Sequence, residues 1–343
     1  MKHETMLKIV KADGFLNEIV GQQNPKRQIK SALISRHNII IIGPPGIGKT
    51  TLAKSIAGML PEIEVNDCEY NCDSNSPMCP SCLSKLHSKN KEKIKTKKIS
   101  GKDRFVRIQG SPDLTAEDLL GDIDPIKAMK YGPLSVEAFT PGKIFRANNG
   151  VLFFDELNRA PQKLQNALLQ VLEEGKATLG SYSVDFPADF LFIGTMNPED
   201  ESTERLSDVL LDRFDVIHMD YPETQEFEEE IVLKKNIPDI EFPKKLFTLM
   251  IRFIRKFRGS DKLSKAPSVR ASIALYQRAA SNAVLDNKKI VSFGHIEEAL
   301  VSVLSHRIEL KPSVKYIQDP VDVVKESFAG FCEENKINTG DYA

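Results

Sequence analysis

A glycine-rich turn that joins an apolar run to a helix constrains this chain more than any other feature. The run at residues 39–42 leads into GPPGIGKT at residues 43–50, which follows the pattern G-x-x-x-x-G-K-[ST]. Glycines allow such a loop to point backbone N–H groups at phosphate oxygens, and the helix that follows directs its positive end at the same anion. The sequence therefore predicts a nucleoside triphosphate site.

The loop also supplies side chains for that site. Lys49 can reach the β- and γ-phosphates, and the hydroxyl of Thr50 can bind Mg²⁺. The residues that we expect to bind the nucleotide are Gly43, Pro44, Pro45, Gly46, Ile47, Gly48, Lys49, Thr50 and Thr51.

Strand and helix patterns alternate through the first two thirds of the chain. Strands are predicted at residues 39–42, 105–108, 151–154, 190–193 and 216–219, and amphipathic helices at residues 24–35 and 161–174. Two of the strands, 151–154 and 190–193, are continuous apolar runs typical of a parallel sheet that is buried on both faces. The alternation predicts an α/β fold with a parallel, doubly wound sheet.

The pattern becomes helical after Pro222. We place a domain boundary near residue 225, which separates an α/β domain (1–225) from a helical domain (226–343). The clearest helical segments of the second domain are residues 246–257, 268–284 and 295–304.

Polar residues follow two of the buried strands. Asp155 could hold Mg²⁺ through water, and Glu156 could orient and polarise the attacking water. A surface acidic pair is the alternative, but ligands of open α/β sheets bind at the carboxyl edge of the strands, which favours the functional interpretation. Asn197, after the next strand, could sit between Glu156 and the γ-phosphate, or it could be a turn residue before Pro198.

Arg213 precedes the last predicted strand, and two interpretations remain open for it. It could form an ordinary surface ion pair, or it could be an arginine finger that places positive charge at the γ-phosphate of a neighbouring subunit. Sequence spacing alone does not choose between them.

Composition excludes few functions. The 343 residues carry a formal net charge of −1, which gives no general attraction to nucleic acid or to anionic membranes. The sequence contains no apolar stretch long enough to span a membrane and no secretory signal at its start, so we expect a cytoplasmic protein.

Four cysteines stand close together in an insertion at residues 62–103. Cys68, Cys72, Cys79 and Cys82 have the spacing C-x₃-C-x₆-C-x₂-C, and two close pairs are typical of a tetrahedral thiolate site. Structural Zn²⁺ is the favoured interpretation, while free thiols and an iron–sulfur cluster remain open. Cys332 stands alone and is expected to be a packing residue.

Lysines crowd the stretch at residues 85–104, which follows the cysteines. We favour a solvated, mobile loop. Contact with nucleic acid or with an acidic partner surface is the alternative.

Taken together, these motifs resemble the helix-2-insert branch of the AAA+ ATPases, which contains MoxR-type ATPases and the motor subunit of magnesium chelatase. DELNRAP at residues 155–161 is similar to the MoxR type, while LPEIEV at residues 60–65 and the stretch 120–152 are similar to the chelatase motor subunit. The resemblance covers residues 15–225 well and the helical region more loosely.

The resemblance implies an AAA+ core with strand order 5-1-4-3-2 and a C-terminal helical lid. It implies that ATP is bound with Mg²⁺, that Lys49 and Thr50 belong to Walker A, and that Asp155 and Glu156 belong to Walker B. The other residues that match family motifs are Asn197 as sensor 1, Arg213 as arginine finger, Arg270 as sensor 2, and Val20 and Gly21 beside adenine. Residues 115–146 match the helix-2 insert, and residues 175–188 match the pre-sensor-1 hairpin.

The family also suggests what the motor acts on. Members form hexameric rings, and many remodel a von Willebrand factor A protein, so the first hypothesis is a MoxR-type chaperone for assembly or metal-cofactor maturation. The second is the motor subunit of a magnesium or cobalt chelatase. The third is a nucleic-acid motor related to minichromosome maintenance helicases, which the near-neutral charge disfavours.

Overall fold

A computed structural model describes residues 3–68, 70–74, 77, 79–87, 94–133, 135–178, 185–198, 206–235 and 239–336. The chain divides into two compact units. The first contains Met1–Ile19, Gln23–Gly43 and Gly48–Met219, and the second contains Val20–Gln22, Pro44–Ile47 and Asp220–Ala343. The main division along the chain lies between Met219 and Asp220.

The first unit is built on strands and short helices. Its strands are β1 (Asn38–Ile42), β2 (Ile63–Asn66), β3 (Thr96–Ile99), β4 (Phe105–Gln109), β5 (Gly121–Ile123), β6 (Phe139–Pro141), β7 (Val151–Asp155), β8 (Lys176–Thr178), β9 (Asp185–Pro187), β10 (Leu191–Met196) and β11 (Phe214–His218). Its helices are α1 (His3–Lys11), α2 (Gln23–Ser35), α3 (Lys49–Gly58), α4 (Pro80–His87), α5 (Ala116–Leu120), α6 (Pro125–Tyr131), α7 (Lys143–Arg146), α8 (Gln162–Glu174) and α9 (Asp208–Leu211).

Five strands form one parallel sheet in the order β11-β1-β10-β7-β4. In chain order of these five strands this is 5-1-4-3-2, so the predicted fold class is confirmed. The central strands are buried along most of their length, which explains their continuous apolar sequences.

Two sheet strands extend two or three residues beyond their predicted limits. β10 runs from Leu191 to Met196, whereas the apolar run ends at Ile193, because Gly194 and Thr195 continue the ladder with β1. β11 begins at Phe214, two residues before the predicted strand, because Asn38 and Ile39 of β1 pair with Phe214 and Asp215. Pairing with a neighbouring strand therefore sets these ends, and local hydropathy does not.

The insertion at residues 62–103 contains an antiparallel ribbon of β2 and β3, with Ile63 opposite Ile99 and Asn66 opposite Thr96. The prediction of a loop is therefore wrong for residues 85–87, which end α4, and for residues 96–99, which form β3, although Lys97 and Lys98 are exposed as expected. Residues 88–93 of the same lysine-rich stretch lie outside the described residues. Two of its lysines form exposed ion pairs: Lys97 lies 3.1 Å from Asp67, and Lys98 lies 3.7 Å from Glu62.

Arg104 anchors the end of this insertion to the sheet. Its side chain is buried, and its guanidinium donates hydrogen bonds to the carbonyl oxygens of Ser100 (3.3 Å), Asn149 and Pro61. Three separate segments are thus held by one side chain.

The stretches that resemble family insertions also have defined structure. Residues 115–146 form α5, an antiparallel pair of β5 and β6 that encloses α6, and then α7. Residues 176–178 and 185–187 form the antiparallel pair of β8 and β9, and the turn between them lies outside the described residues.

The second unit is mostly helical. Its helices are α10 (Gln225–Leu233), α11 (Lys244–Arg258), α12 (Val269–Leu285), α13 (Phe293–Leu304), α14 (Pro312–Lys315) and α15 (Pro320–Glu334), and an antiparallel pair is formed by β12 (Leu263–Lys265) and β13 (Glu309–Leu310). The apolar faces of α11, α12, α13 and α15 form its core.

A buried carboxylate joins three of these helices. Glu228 on α10 accepts hydrogen bonds from both Nη atoms of Arg258 (2.8 and 3.0 Å), from Arg255 (3.1 Å) and from the hydroxyl of Ser272 (2.5 Å). Burial by itself would raise the pKa of Glu228, but the hydrogen bonds and charge of Arg258 outweigh it and hold the pKa below its ordinary value. The same Arg255 binds the carbonyl oxygen of Pro222 (2.9 Å).

We expect Glu228→Gln to lower the free energy of unfolding of the second unit by about 3–5 kcal/mol at pH 7, because the buried carboxylate is lost and two half-buried guanidinium groups lose their counter-charge. The pKa of Glu228 is lowered in the folded state, so this stabilisation is present above the unfolded pKa of about 4.3 and is lost as pH falls through the folded pKa.

Denaturant unfolding of the full chain at pH 7 and at pH 3 measures the effect. The difference in the free energy of unfolding between wild type and Glu228→Gln should be smaller at pH 3 than at pH 7. Glu230→Gln is the control, because Glu230 forms only an exposed ion pair with Lys234. An equal decrease in the free energy of unfolding for Glu228→Gln and Glu230→Gln at pH 7 would contradict the prediction.

Candidate functional site

The glycine-rich loop leaves the carboxyl end of β1 beside the end of β10. The N–H of Gly43 donates to the carbonyl oxygen of Met196 (3.3 Å). The ammonium of Lys49 donates to the carbonyl oxygen of Gly43, and it lies 3.4 Å from that of Met196. Lys49 is therefore held at the sheet edge where ligands of parallel α/β folds bind.

The loop backbone fits an anion. Gly46 and Gly48 have φ angles of +81° and +98°, a conformation that favours glycine. Gly48 caps α3 without a side chain, so the first N–H groups of this helix have no side-chain acceptor at the cap. Thr50 lies in the first turn of α3, beside Lys49. This loop can hold the phosphates of a nucleotide, and Thr50 can offer its hydroxyl to Mg²⁺.

The carboxylate of Asp155 ends β7 and is bound on both oxygens. Oδ1 accepts a hydrogen bond from the hydroxyl of Thr195 (2.7 Å), and Oδ2 accepts one from Nη2 of Arg107 (2.6 Å). Thr195 is buried in the neighbouring strand β10, while Arg107 projects from β4 on the other side. Asp155 therefore has a fixed orientation and a nearby positive charge.

Glu156 follows in a left-handed conformation, with φ of +55°. This conformation is rare for a residue with a side chain, and such strain concentrates at functional positions. Its N–H donates to Oγ1 of Thr195 (3.0 Å), and its Oε2 accepts a hydrogen bond from Gln109 (2.8 Å) and lies 3.1 Å from Arg159. Thr195 thus binds both acids at once, as a donor to Asp155 and as an acceptor from Glu156.

Gly110 lets β4 come close to this turn. A Cβ atom at Gly110 would lie 2.0 Å from the carbonyl oxygen of Glu156, so a side chain cannot be accommodated without moving the acidic pair. The N–H of Gly110 also donates to the carbonyl oxygen of Asp155 (2.7 Å).

Two further predicted site residues lie in the same unit. Asn197 directly follows β10 and is half-buried, one residue after the carbonyl that faces Lys49. Arg213 lies between α9 and β11, where its guanidinium forms an ion pair with Glu173 at the end of α8 (Nε to Oε1, 2.6 Å) and binds the carbonyl oxygen of Val209 (2.5 Å). Within its own chain, Arg213 therefore forms an ion pair, which is one of the two interpretations that the sequence left open.

The remaining predicted nucleotide contacts belong to the second unit. Arg270 lies in the first turn of α12, and its Cγ would be 2.9 Å from a Cβ atom at Gly46. Gly21, with φ of +62°, faces the ring of Phe227, so a side chain at this position would collide with that ring. Val20 is buried next to it.

The four clustered cysteines lie apart from the acidic pair in sequence, at the tip of the β2–β3 ribbon. The Sγ atoms of Cys68, Cys72, Cys79 and Cys82, here called the cysteine cluster, all lie within 4.8 Å of one another. Burial raises the pKa of Cys82 to about 11. Cys332 is half-buried and packs against the core of the second unit, as expected.

Comparison with known proteins identifies the family. The model of the ATPase family associated with various cellular activities (AAA) matches residues 87–216, that of magnesium chelatase subunit ChlI matches residues 15–91, and that of the AAA lid domain matches residues 264–327. These matches cover the acidic pair, the phosphate loop and the helical unit in turn. The chain belongs to the AAA+ ATPases. It is of the magnesium-chelatase ChlI-like type and hydrolyses ATP, with Mg²⁺ as the metal that accompanies the nucleotide in this family.

Two curated relatives align along most of this ATPase. The magnesium-chelatase subunit ChlI homolog of Methanocaldococcus jannaschii is 27% identical over 325 residues, which cover 86% of this chain and 85% of the relative. The magnesium-chelatase 38 kDa subunit of Acidiphilium rubrum is 25% identical over 350 residues, which cover 91% and 92%. Among solved structures, a variant of RuvB from Thermotoga maritima has a TM-score of 0.50 at 19% identity and covers 84% of this chain and 72% of its own, which supports the shared fold alone.

Among its described residues, this AAA+ ATPase has no helix that is both long and apolar enough to cross a membrane.

Sequence reasoning missed three residues that orient the acidic pair: Arg107, Gln109 and Thr195. Gln109 could have been found, because it directly follows a predicted strand at the same sheet edge as Asp155, its partner in the β4–β7 register. Thr195 carries no comparable signal, since a threonine inside a strand most often only packs.

We expect Thr195→Val to lower kcat for ATP hydrolysis about 10- to 100-fold, a loss typical when a buried group that orients a functional ligand is removed. The change keeps the side-chain shape but removes the hydroxyl that binds Asp155 and Glu156. Steady-state ATPase rates and nucleotide affinity are measured side by side, and affinity should change much less than kcat.

Thr195→Ser is the matched control because it keeps the hydroxyl. It should retain most of the activity. If the serine and valine variants lose activity equally, packing at this position matters and the hydroxyl does not.

Proposed function

We propose that this AAA+ ATPase is a ring-forming motor that remodels a protein partner, as a MoxR-type chaperone for assembly or metal-cofactor maturation. The observation that carries the proposal is the exposed apolar surface of α6. Met129 is 91% exposed, Ile126 is 80% exposed and Tyr131 is 50% exposed, and the helix buries none of its residues. Ile126 and Met129, three residues apart, share one face of the helix, and adjacent apolar side chains exposed to water are typical of a protein contact surface.

The position of α6 supports a mechanical role. The helix is carried by the β5–β6 pair, which packs through Phe139 on Phe145 of α7 (ring centroids 6.1 Å apart). α7 in turn contacts β4, the strand that carries Arg107 and Gln109. The acidic pair is therefore connected to α6 through a short series of packed elements. We propose a von Willebrand factor A protein as the partner that binds the surface of α6.

The residues of the site would divide the work of hydrolysis. Lys49 and Thr50 would hold the phosphates and Mg²⁺, with Asp155 as a further ligand through water, and the bound nucleotide supplies the phosphoanhydride bond that is cleaved. Glu156, oriented by Thr195 and Gln109, would hold the attacking water and accept its proton. Asn197 would help to place that water, and Arg270, whose Cγ lies close to Gly46 of the loop, would contact the nucleotide.

We expect Glu156→Gln to bind ATP without hydrolysing it, so a stable ATP-bound form can be used to capture a purified von Willebrand factor A protein. Met129→Asp in this background should abolish capture, because a charge is placed in the apolar surface. Met129→Leu, which keeps the surface apolar, should preserve it. Equal capture by the two Met129 variants would exclude α6 as the contact surface.

Arg213 is proposed to act in the neighbouring subunit of a homo-hexameric ring. For this role Arg213 must leave its ion pair with Glu173 and contact the γ-phosphate bound to the neighbouring subunit. Arg213→Ala should lower kcat about 10³-fold or more while ATP still binds, because an arginine finger contributes mainly to the transition state.

Mixing inactive variants tests whether the arginine acts in trans. Arg213→Ala and Glu156→Gln subunits are each inactive alone, but a mixed ring contains interfaces at which an intact Glu156 faces an intact Arg213. ATPase activity should therefore reappear on mixing. No recovery in rings shown to be mixed would place Arg213 in its own subunit's site.

The motor subunit of a magnesium or cobalt chelatase is the second candidate. The family model that matches residues 15–91 and the two aligned relatives favour it. Stimulation of ATP turnover by a tetrapyrrole-binding chelatase subunit would support this candidate over the chaperone. The absence of any response to such a subunit would count against it.

A nucleic-acid motor fits the structure less well. Lys97 and Lys98 of the lysine-rich stretch are paired with Asp67 and Glu62 of the same insertion. Their charge is therefore partly neutralised, and counterion release on binding a phosphate backbone would be small.

A further inference from the structure

We propose that the cysteine cluster binds one structural Zn²⁺ ion, and that this ion supports the base of the helix-2 insert. The proposal does not depend on what the motor acts on. It rests on the positions of the four sulfurs, on their hydrogen bonds and on what the cluster packs against.

The sulfur positions suit one tetrahedral ion. Zn–S bonds of about 2.3 Å place the sulfurs of a tetrahedral site about 3.8 Å apart. The four Sγ atoms lie within 4.8 Å of one another, and none of these cysteines forms a disulfide. Four sulfurs from two separate pairs of the sequence thus converge on one point.

Each of the four sulfurs also accepts an N–H hydrogen bond. The backbone N–H groups of Cys72, Cys79 and Cys82 donate to Sγ of Cys68, Cys72 and Cys79 respectively, each at 3.4 Å. Nδ2 of the buried Asn66 donates to Sγ of Cys82 (3.7 Å). Hydrogen-bond donors around sulfur stabilise thiolates and orient metal ligands, so the surroundings are those of a bound cation.

Strand pairing alone gives this segment limited support. The β2–β3 ribbon has two strands, which is marginal without further contacts. Its tip is closed by the hydrogen bond from the Asn66 N–H to the Cys72 carbonyl oxygen (2.8 Å) and by the bridge between Val65 and Asp73. An ion that joins both cysteine pairs would fix the tip directly, and each thiol would release its proton to solvent as its sulfur binds.

The cluster packs against the helix-2 insert. Cys72, Cys79 and Cys82 belong to the same buried apolar cluster as Phe139 and Phe145. The ring of Tyr70, between the first two cysteines, meets the ring of Phe145 edge-on at 5.8 Å. α4, which carries Cys82, contacts the turn that leads into β6. Loss of the ion would therefore loosen the support of β6 and α7 and leave the phosphate loop intact.

Metal analysis of the purified full chain tests the ion. We expect one zinc per chain in the wild type and in Cys332→Ser, the matched control, and none in Cys79→Ala. Cys68→His offers another zinc ligand and should retain the metal, whereas Cys68→Ala should not. Iron with visible absorption would overturn zinc in favour of an iron–sulfur cluster, and a metal-free wild type would overturn the site.

Asn66→Ala tests the metal site even if the cysteine substitutions prevent folding. Asn66→Ala keeps all four sulfurs and removes only the donor to Cys82, so we expect the Kd for zinc to rise about tenfold. Competition with a chromophoric chelator measures this change. An unchanged affinity would contradict the role of the hydrogen bonds in a metal site.

Hydrogen exchange tests the support of the insert without any partner. Zinc is removed from the wild type with a chelator and then restored. Backbone amides at residues 121–123 and 139–146 should exchange about tenfold faster or more without zinc, equivalent to about 1.4 kcal/mol, and recover when it returns. Amides of β1 and β10 should not change. If exchange rises equally everywhere or nowhere, the ion does not act through the insert.

Discussion

The parallel register of β1, β10 and β7 determines where each polar group of the active site lies. Ile42 pairs with Met196, and Gly194 pairs with Phe154, so the three strands end at neighbouring positions. The phosphate loop, Asn197 and the acidic pair all begin within a residue or two of these ends. Since the strands are buried on both faces, moving one of them would expose apolar surface or leave ladder groups unpaired. The sheet therefore holds the site as a rigid support.

A single hydroxyl connects that support to the chemistry. Thr195 lies inside β10, yet it binds Asp155 and the backbone of Glu156 on β7. The left-handed conformation of Glu156 is held by the hydrogen bond from its N–H to Thr195, and Gly110 has no side chain that would collide with the Glu156 carbonyl oxygen. The acidic pair is thus positioned by two strands that flank its own. Arg104 and Glu228 have a comparable role elsewhere, because each is a buried charged side chain whose hydrogen bonds join segments that are distant in sequence.

Much of the core could be predicted from the residues, and the reasons differ between elements. The strands predicted at 151–154 and 190–193 were recognisable because burial on both faces selects apolar residues continuously. The ribbon of β2 and β3 was not, because β3 (TKKI) lies in a lysine-rich stretch that resembles a solvated loop, and the order of the ribbon depends on pairing across the insertion. α15 was also missed, although Asp319 and Pro320 form a recognisable helix start.

The sequence by itself determined the fold class, the nucleotide loop and the identity of the acidic pair, because each leaves a local pattern of spacing and hydropathy. Only the tertiary structure decided that Thr195, Arg107 and Gln109 orient that pair, and that Arg213 pairs with Glu173 within its chain. These are contacts between residues about 40 positions apart or on different strands, and nothing in the local sequence records which distant groups will meet. Strand register and packing alone bring them together.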